Sequence, residues 1–146
     1  MNRHFVEMLS ALSDAGAEYL VIGAQALAAH GFVRGTRDLD IWIRPTRENA
    51  QRVWRALVAF GAPLQGVTIE DLCTPELIYQ LGVEPNRIDF ITTPVGVGFD
   101  DAWRNRVAMR VADRDYPFLS KADLITMKRA TARPQDLVDA DTLENQ

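Results

Sequence analysis

The chain has 146 residues, of which 47% are hydrophobic, and it carries a formal net charge of −4 at pH 7. This length and composition predict one globular domain, residues 1–146, whose core needs no disulfide or structural metal. The acidic balance argues against a protein that holds nucleic acid through its overall electrostatic field, although a local basic groove stays compatible with it.

Cysteine usage and hydropathy indicate the compartment. The single cysteine, Cys73, cannot form an intrachain disulfide, which is typical of a reducing environment. Residues 1–10 mix polar and apolar side chains and do not resemble a signal peptide. No apolar run approaches the roughly 20 residues that span a bilayer. We therefore expect a cytoplasmic protein with no membrane partner.

The first part of the chain alternates helical and extended patterns, with glycine or proline at several boundaries. In chain order, these patterns predict a helix over 2–15, a strand over 19–22, a helix over 24–30, a strand over 39–43 and a helix that Pro45-Thr46 opens, with Thr46 as its N-cap, and that Phe60 ends. The strand over 19–22 is a continuous apolar run, which is typical of a buried central strand.

The remaining part begins with residues 61–86, where glycine and proline are frequent and the pattern over 74–81 fits either a helical turn or a strand. The later predicted elements are a strand over 87–93, a short helix over 99–106, a hairpin over 107–119, a helix over 120–132 capped by Ser120 and a last helix over 135–143. This order predicts an α/β (α+β) fold with a small mixed β-sheet flanked by helices.

Asp38 and Asp40 stand one residue apart at the start of the strand over 39–43. Alternate residues of a strand share a face, so the two carboxylates point the same way and repel unless a positive charge lies between them. A hard cation, Mg²⁺, is the candidate, with a nucleoside triphosphate behind it. The alternative is a strand entry with two solvated carboxylates.

Residues before these acids favour a phosphate ligand. Gly23 lies between a buried strand and a helix N-terminus, where free N–H groups and positive partial charge can bind phosphate. Arg34, Thr36 and Arg37 directly precede the acids, and the two guanidinium groups can balance the acids or contact phosphate oxygens. The alternatives are an ordinary strand-to-helix glycine and surface ion pairs.

Asp89 is flanked by Ile88 and Phe90 in a predicted strand, where an unpaired carboxylate is costly to bury. The position is favourable if Asp89 faces the Asp38–Asp40 pair across neighbouring strands. Three carboxylates then hold one or two Mg²⁺ ions, with Asp89 as general base or second-metal ligand. The alternative is an edge strand that leaves Asp89 in water.

Lys128 lies near one face of its predicted helix together with Leu124. Its ammonium group can reach the β- and γ-phosphates of a nucleotide as a point charge. The alternative is an intramolecular ion pair with Asp136 or Asp139, which open the last helix, and both roles are compatible with each other.

Three motifs together resemble the polymerase-beta-like nucleotidyltransferase superfamily. They read Val21-Ile-Gly-Ala-Gln-Ala-Leu-Ala-Ala-His-Gly31, Arg34-Gly-Thr-Arg-Asp-Leu-Asp40 and Ile88-Asp-Phe90. More narrowly, the chain is similar to small bacterial and archaeal nucleotidyltransferase-like proteins, some of which are toxins of toxin–antitoxin or phage-defence systems. Lys128 followed by Arg133-Pro-Gln-Asp136 matches their C-terminal pattern, so the resemblance covers residues 17–140.

The resemblance implies a nucleotidyltransferase-like fold, Mg²⁺ as cofactor and a nucleoside triphosphate, such as ATP, as nucleotidyl donor. By position, Asp38 and Asp40 become metal ligands, Asp89 becomes the third acid, and Gly23 with Ala24 becomes the phosphate turn. The expected reaction moves a nucleoside monophosphate to a hydroxyl group of tRNA, of a protein or of a small molecule, and the protein is expected to be a toxin–antitoxin component.

Ala24 departs from the pattern of the superfamily, in which many members have a serine after the glycine. Its methyl group offers no hydroxyl to a phosphate. The chain is also short and has no obvious second domain for a base or an acceptor. The alternative function is therefore a catalytically degenerate protein that kept the fold and acts as a binding or antitoxin-like partner module.

Overall fold

A computed structural model of the protein describes residues 1–32, 38–82, 86–94 and 96–146. The described residues form six strands and seven helices. The strands are β1 (Tyr19–Ile22), β2 (Leu39–Ile43), β3 (Ile78–Leu81), β4 (Ile88–Ile91), β5 (Val107–Val111) and β6 (Arg114–Phe118). The helices are α1 (Arg3–Asp14), α2 (Gly23–Ala29), α3 (Arg47–Phe60), α4 (Ile69–Leu72), α5 (Phe99–Arg104), α6 (Lys121–Thr131) and α7 (Pro134–Glu144).

The strands form one mixed sheet in the order β3-β4-β2-β1-β6-β5. The inner strand β1 runs antiparallel to β2 and parallel to β6. The strands β2 and β4 are parallel neighbours, and the outer strands β3 and β5 each pair antiparallel with the strand beside them. The predicted mixed sheet with helices in an α/β arrangement is confirmed.

Side-chain caps explain where three of the helices begin. Asn2 accepts a hydrogen bond from the backbone N–H of Phe5 at the start of α1. Thr46 does the same at the start of α3, and Ser120 at the start of α6. Each of these bonds satisfies a backbone donor that the first helical turn leaves open. The predicted caps Thr46 and Ser120 are therefore confirmed.

The core lies around β1, whose four residues are all buried. A strand buried on both faces accommodates an unbroken apolar run, as the sequence predicted for residues 19–22. The largest fully buried side chains are Trp42, Tyr19, Phe5, Phe90 and Phe118. They come from the sheet and from α1, so the central strands and the N-terminal helix are packed together.

The segment over residues 61–86 contains two short elements. The four-residue helix α4 was not predicted, and it begins with a capping box in which Thr68 and Asp71 bond reciprocally to each other's backbone N–H. Of residues 74–81, which fitted either a helical turn or a strand, residues 78–81 form the edge strand β3. None of the described helices combines the length and the apolar character needed to cross a membrane.

Candidate functional site

Asp40 and Asp89 are register partners in the parallel pair of β2 and β4. Register partners on neighbouring strands project from the same face of the sheet. Asp38 directly precedes β2, and one of its carboxylate oxygens accepts the backbone N–H of Arg87 at 3.2 Å. Asp89 is 7% exposed. The fold therefore brings the three predicted acids together near the N-terminal ends of β2 and β4. Their role as metal ligands stays a prediction.

Arg87 provides a positive charge within this acidic cluster. Its Nε donates to Oδ1 of Asp89 at 2.8 Å, and its terminal nitrogen donates to Oδ2 of Asp89 at 3.2 Å. The same terminal nitrogen lies 3.5 Å from Oδ2 of Asp38. A two-point pair between guanidinium and carboxylate is among the stronger polar contacts of proteins. Arg87 therefore connects two of the three acids.

The surroundings of Asp40 disfavour its negative charge. Burial raises the pKa of its carboxyl to about 6, and repulsion by Asp89 and Asp38 adds to the rise, while Arg87 opposes it. A raised carboxyl pKa means that the surroundings disfavour the negative charge. Burial first, and then the two neighbouring carboxylates, thus disfavour the ionised form of Asp40.

Gly23, which begins α2, lies directly against Asp40. Its φ of +66° belongs to the left-handed region that L side chains rarely adopt. A β-carbon on residue 23 would overlap Oδ2 of Asp40 and stand 3.1 Å from its Cγ. The turn predicted to bind phosphate is therefore in contact with one predicted metal ligand, Asp40, and phosphate binding at Gly23 and Ala24 itself stays a prediction.

Lys128 lies between two buried carboxylates of α7. Its ammonium nitrogen is 3.4 Å from Oδ1 of Asp136 and 3.3 Å from Oδ2 of Asp139. The exposed fraction of the Lys128 side chain is 17%, against 4% for each acid. The ion pairs considered from the sequence are thus present, and contact between Lys128 and phosphate stays a prediction.

Asp136 has further partners at the turn from α6 to α7. Arg133 donates from Nε to its Oδ2 at 2.6 Å, and the hydroxyl of Thr131 donates to the same oxygen at 2.8 Å. The hydrogen bond from Arg133 is the largest cause that lowers the pKa of Asp136 to about 2. This carboxylate is therefore fixed in its ionised form and anchors the basic residues around it.

A cleft lies between α2, which follows the Gly23 turn, and the charged residues of α6 and α7. Ala24 and Leu27 of α2 line it from one side, and Lys128, Asp136 and Asp139 line it from the other. A smaller adjoining cavity is lined by Gly23 together with Lys128. The predicted phosphate turn and the predicted phosphate-binding lysine thus face a common space.

Solved structures match this fold, whereas no protein-family model and no curated protein matches the sequence. The lincosamide antibiotic adenylyltransferase LnuA, in a lincomycin-bound crystal structure, matches with a TM-score of 0.63 and 16% identity, over 99% of this chain and 96% of that one. TM1012 of Thermotoga maritima, provisionally named a nucleotidyltransferase, matches with a TM-score of 0.61 and 16% identity, over 98% of this chain and 89% of that one. The chain therefore has a nucleotidyltransferase-like fold. Sequence identity at this level establishes the fold alone.

Some predicted positions of this nucleotidyltransferase fold remain without a structural description. Arg34, Thr36 and Arg37 lie outside the described residues. Within residues 1–32, 38–82, 86–94 and 96–146, no group of three or more His, Cys, Asp or Glu side chains is arranged as a ready set of metal ligands. In this arrangement, Arg87 engages Asp38 and Asp89 instead.

Arg87 is a residue of the candidate site that the sequence patterns did not predict. A signal for it exists, because Arg87 stands two residues before Asp89 and alternate positions along an extended segment share a face. The same spacing was applied to Asp38 and Asp40. Applied to residues 87 and 89, it predicts an arginine beside the third acid.

Proposed function

We propose that this protein is a Mg²⁺-dependent nucleotidyltransferase that moves a nucleoside monophosphate from a nucleoside triphosphate, such as ATP, to a hydroxyl group. The observation that carries the proposal is the in-register pair of Asp40 and Asp89, packed against the turn at Gly23. Carboxylates on adjacent central strands beside a helix N-terminus form a surface suited to a metal-bound triphosphate. The fold shared with an adenylyltransferase gives additional support.

The residues present fit a divalent cation in their chemistry. Asp38, Asp40 and Asp89 offer carboxylate oxygens, which are the ligands that Mg²⁺ prefers. The pKa of Asp40, raised to about 6 by burial and by the neighbouring acids, indicates negative charge that a cation would relieve. A bound divalent ion would neutralise triphosphate charge and lower the pKa of an attacking hydroxyl.

The proposed reaction gives each residue of the candidate site a separate role. Asp38 and Asp40 would hold the metal, and Asp89 would accept the proton of the acceptor hydroxyl or complete the ligand set. The backbone N–H groups at Gly23 and Ala24 donate to phosphate oxygens. Lys128, which lines the cleft beside Ala24, adds positive charge for the β- and γ-phosphates.

Arg34, Thr36 and Arg37 are proposed to complete the phosphate contacts from the segment just before Asp38. Guanidinium groups bind phosphate oxygens through two parallel hydrogen bonds, which is why arginines next to the acids suit this role. Charge from these residues and from Lys128 stabilises the transferring phosphoryl group and the departing pyrophosphate.

We propose a small molecule as the first acceptor class to examine, because the structure of LnuA was solved with its lincosamide bound. Hydroxyl groups of tRNA and of a partner protein are the other acceptor classes. A protein or tRNA acceptor would agree with a role in a toxin–antitoxin pair. Transfer of label from α-labelled ATP to fractions of a cell extract distinguishes the three by the size and nuclease or protease sensitivity of the product.

Calorimetry with ATP and Mg²⁺ tests the proposed site directly. We expect the D38N/D40N double variant to lose Mg²⁺-dependent binding of ATP. Asp113→Asn, a change at an exposed acid between β5 and β6, is the control and should bind as the unmodified protein does. Equal binding by the double variant and the unmodified protein would overturn the metal site.

The degenerate binding module remains the second candidate, because Arg87 already pairs with two of the acids and Ala24 offers no hydroxyl. A guanidinium can replace a metal as the neutralising charge of an acidic cluster. This candidate predicts no Mg²⁺-dependent label transfer to any acceptor. It also predicts that D38N/D40N leaves ATP binding unchanged.

A further inference from the structure

Arg87 holds the acidic cluster from both its backbone and its side chain. Its N–H donates to Oδ1 of Asp38, and its carbonyl accepts the N–H of Leu39 at 3.0 Å. Its guanidinium group donates to Asp89, which lies two residues later in the sequence. Backbone pairing therefore fixes the position from which this side chain contacts the acids.

The guanidinium group uses both oxygens of Asp89. Oδ1 accepts from Nε and Oδ2 accepts from the terminal nitrogen, which also lies near Asp38. These oxygens carry the electron pairs that a metal ion would need from Asp89. A cation that binds Asp89 through these same lone pairs displaces at least one N–H donor of Arg87.

We propose that the guanidinium of Arg87 and a divalent cation compete for the carboxylates of Asp38 and Asp89, so that Arg87 sets the metal affinity of the site. This inference rests on the metal site in the proposed function. Arg87 is a positioning residue in it: it keeps two like charges side by side while no metal is bound. It releases Asp89 when the metal arrives.

The variant Arg87→Lys distinguishes competition between the two-point pair and the metal from simple repulsion between two positive charges. Arg87→Lys keeps the positive charge but cannot form two parallel hydrogen bonds to one carboxylate. If the two-point pair competes with the metal, Arg87→Lys tightens metal binding about tenfold, the size expected for one lost charge-assisted bond. If Arg87 acts only through its charge, Arg87→Lys leaves the metal affinity unchanged.

Mn²⁺ is the probe, because its free and bound forms are distinguished by electron paramagnetic resonance without nucleotide or turnover. The titration compares the unmodified protein, Arg87→Lys and Arg110→Lys. Arg110 is an exposed arginine of β5 that pairs with Asp115, so its variant is the matched control for an arginine-to-lysine change. We expect tighter Mn²⁺ binding in Arg87→Lys alone.

Each outcome has a defined meaning. Tighter binding by Arg87→Lys supports the inference, even if the unmodified protein binds no detectable Mn²⁺. Equal affinity in all three proteins overturns the competition but leaves the metal site of the proposed function intact. No binding by any of them overturns both.

A second measurement needs no variant at position 87. In the unmodified protein labelled with ¹⁵N-arginine, the Nε–H resonance of Arg87 should shift as Mg²⁺ is added, because this group donates a hydrogen bond to Asp89. Assignment through the side-chain carbons identifies the resonance. A resonance that stays in place while calorimetry detects Mg²⁺ binding overturns the inference.

Discussion

The backbone of Gly23 and the carboxylate of Asp40 are in direct contact, and the space between them leaves no room for a β-carbon. The contact joins the end of β1 to the start of β2, which are antiparallel neighbours with Ile22 opposite Asp40. Glycine is therefore required at residue 23 both by its positive φ and by the acid beside it.

Gly23→Ala is expected to destabilise the protein more than an alanine at another left-handed glycine. Gly16 is the matched control, because its φ is +71° and nothing lies within 4 Å of a β-carbon there. Both changes carry the left-handed penalty of about 1–2 kcal/mol. The overlap with Asp40 adds about 1–3 kcal/mol to the cost at residue 23.

Urea unfolding in metal-free buffer measures both variants. The double variant G23A/D40A should recover part of the additional loss, since it removes the overlapping oxygen, and a double-mutant cycle isolates that contribution. Equal losses for Gly23→Ala and Gly16→Ala would contradict the close contact.

Ala24→Ser is expected to tighten ATP binding. The residue lines the cleft opposite Lys128, and a hydroxyl there gains one hydrogen bond to a phosphate oxygen, which corresponds to a threefold to tenfold lower Kd, about 0.5–1.5 kcal/mol. Ala28→Ser, at an exposed position of the same helix, is the control and should not change the Kd. Calorimetry gives both values, and unchanged affinity in Ala24→Ser argues against phosphate at this turn.

Lys128→Gln is expected to lower the free energy of unfolding by about 3 kcal/mol, because it leaves Asp136 and Asp139 buried without their shared cation. The other lysine of α6, Lys121, provides the control, and Lys121→Gln should change stability by less than about 0.5 kcal/mol. Chemical denaturation measures the difference. A stable Lys128→Gln protein would mean that the neighbouring arginine and threonine suffice for these acids.

Asp136 makes stability depend on acid pH. Its pKa is lowered to about 2 in the folded protein, first by the hydrogen bond from Arg133, against an ordinary value of 3.8. The unfolded chain therefore binds more protons in this range, and the contribution of Asp136 is complete above about pH 4 and lost as pH falls towards 2.

Asp136→Asn should accordingly be less stable than the unmodified protein at pH 7, and the difference should shrink between pH 4 and pH 2. Urea midpoints at several pH values give the two curves. Asp141→Asn, at a more exposed acid of the same helix, is the control and should run parallel to the unmodified protein. A difference that stays constant down to pH 2 would contradict the role of the ionised carboxylate.

Local sequence signals predicted much of the fold. The caps Thr46 and Ser120 and the apolar run of β1 are encoded in neighbouring residues, so their structures agree with the prediction. The elements within residues 61–86 were not predictable from the sequence. A four-residue helix and a four-residue edge strand contain too few periods of the hydrophobic pattern to be recognised.

The candidate site was predictable in its composition but not in its pairing. The acids were found from their spacing and from the cost of burying Asp89, yet their alignment depends on a strand register that joins distant parts of the chain. The contact of Arg87 with Asp38 likewise depends on the pairing of distant segments. The ion pairs of Lys128 with both Asp136 and Asp139 depend on how α6 and α7 pack, which no local sequence pattern specifies.

The parallel pairing of β2 and β4 has a consequence for how such a protein can diversify. Between β2 and β4 the chain passes through α3, α4 and the edge strand β3, and this connection includes exposed turns around Gly61 and Gly66. Surface turns tolerate insertions because added residues disturb no buried hydrogen bond. New segments can therefore be inserted in these turns while the two carboxylates keep their alignment.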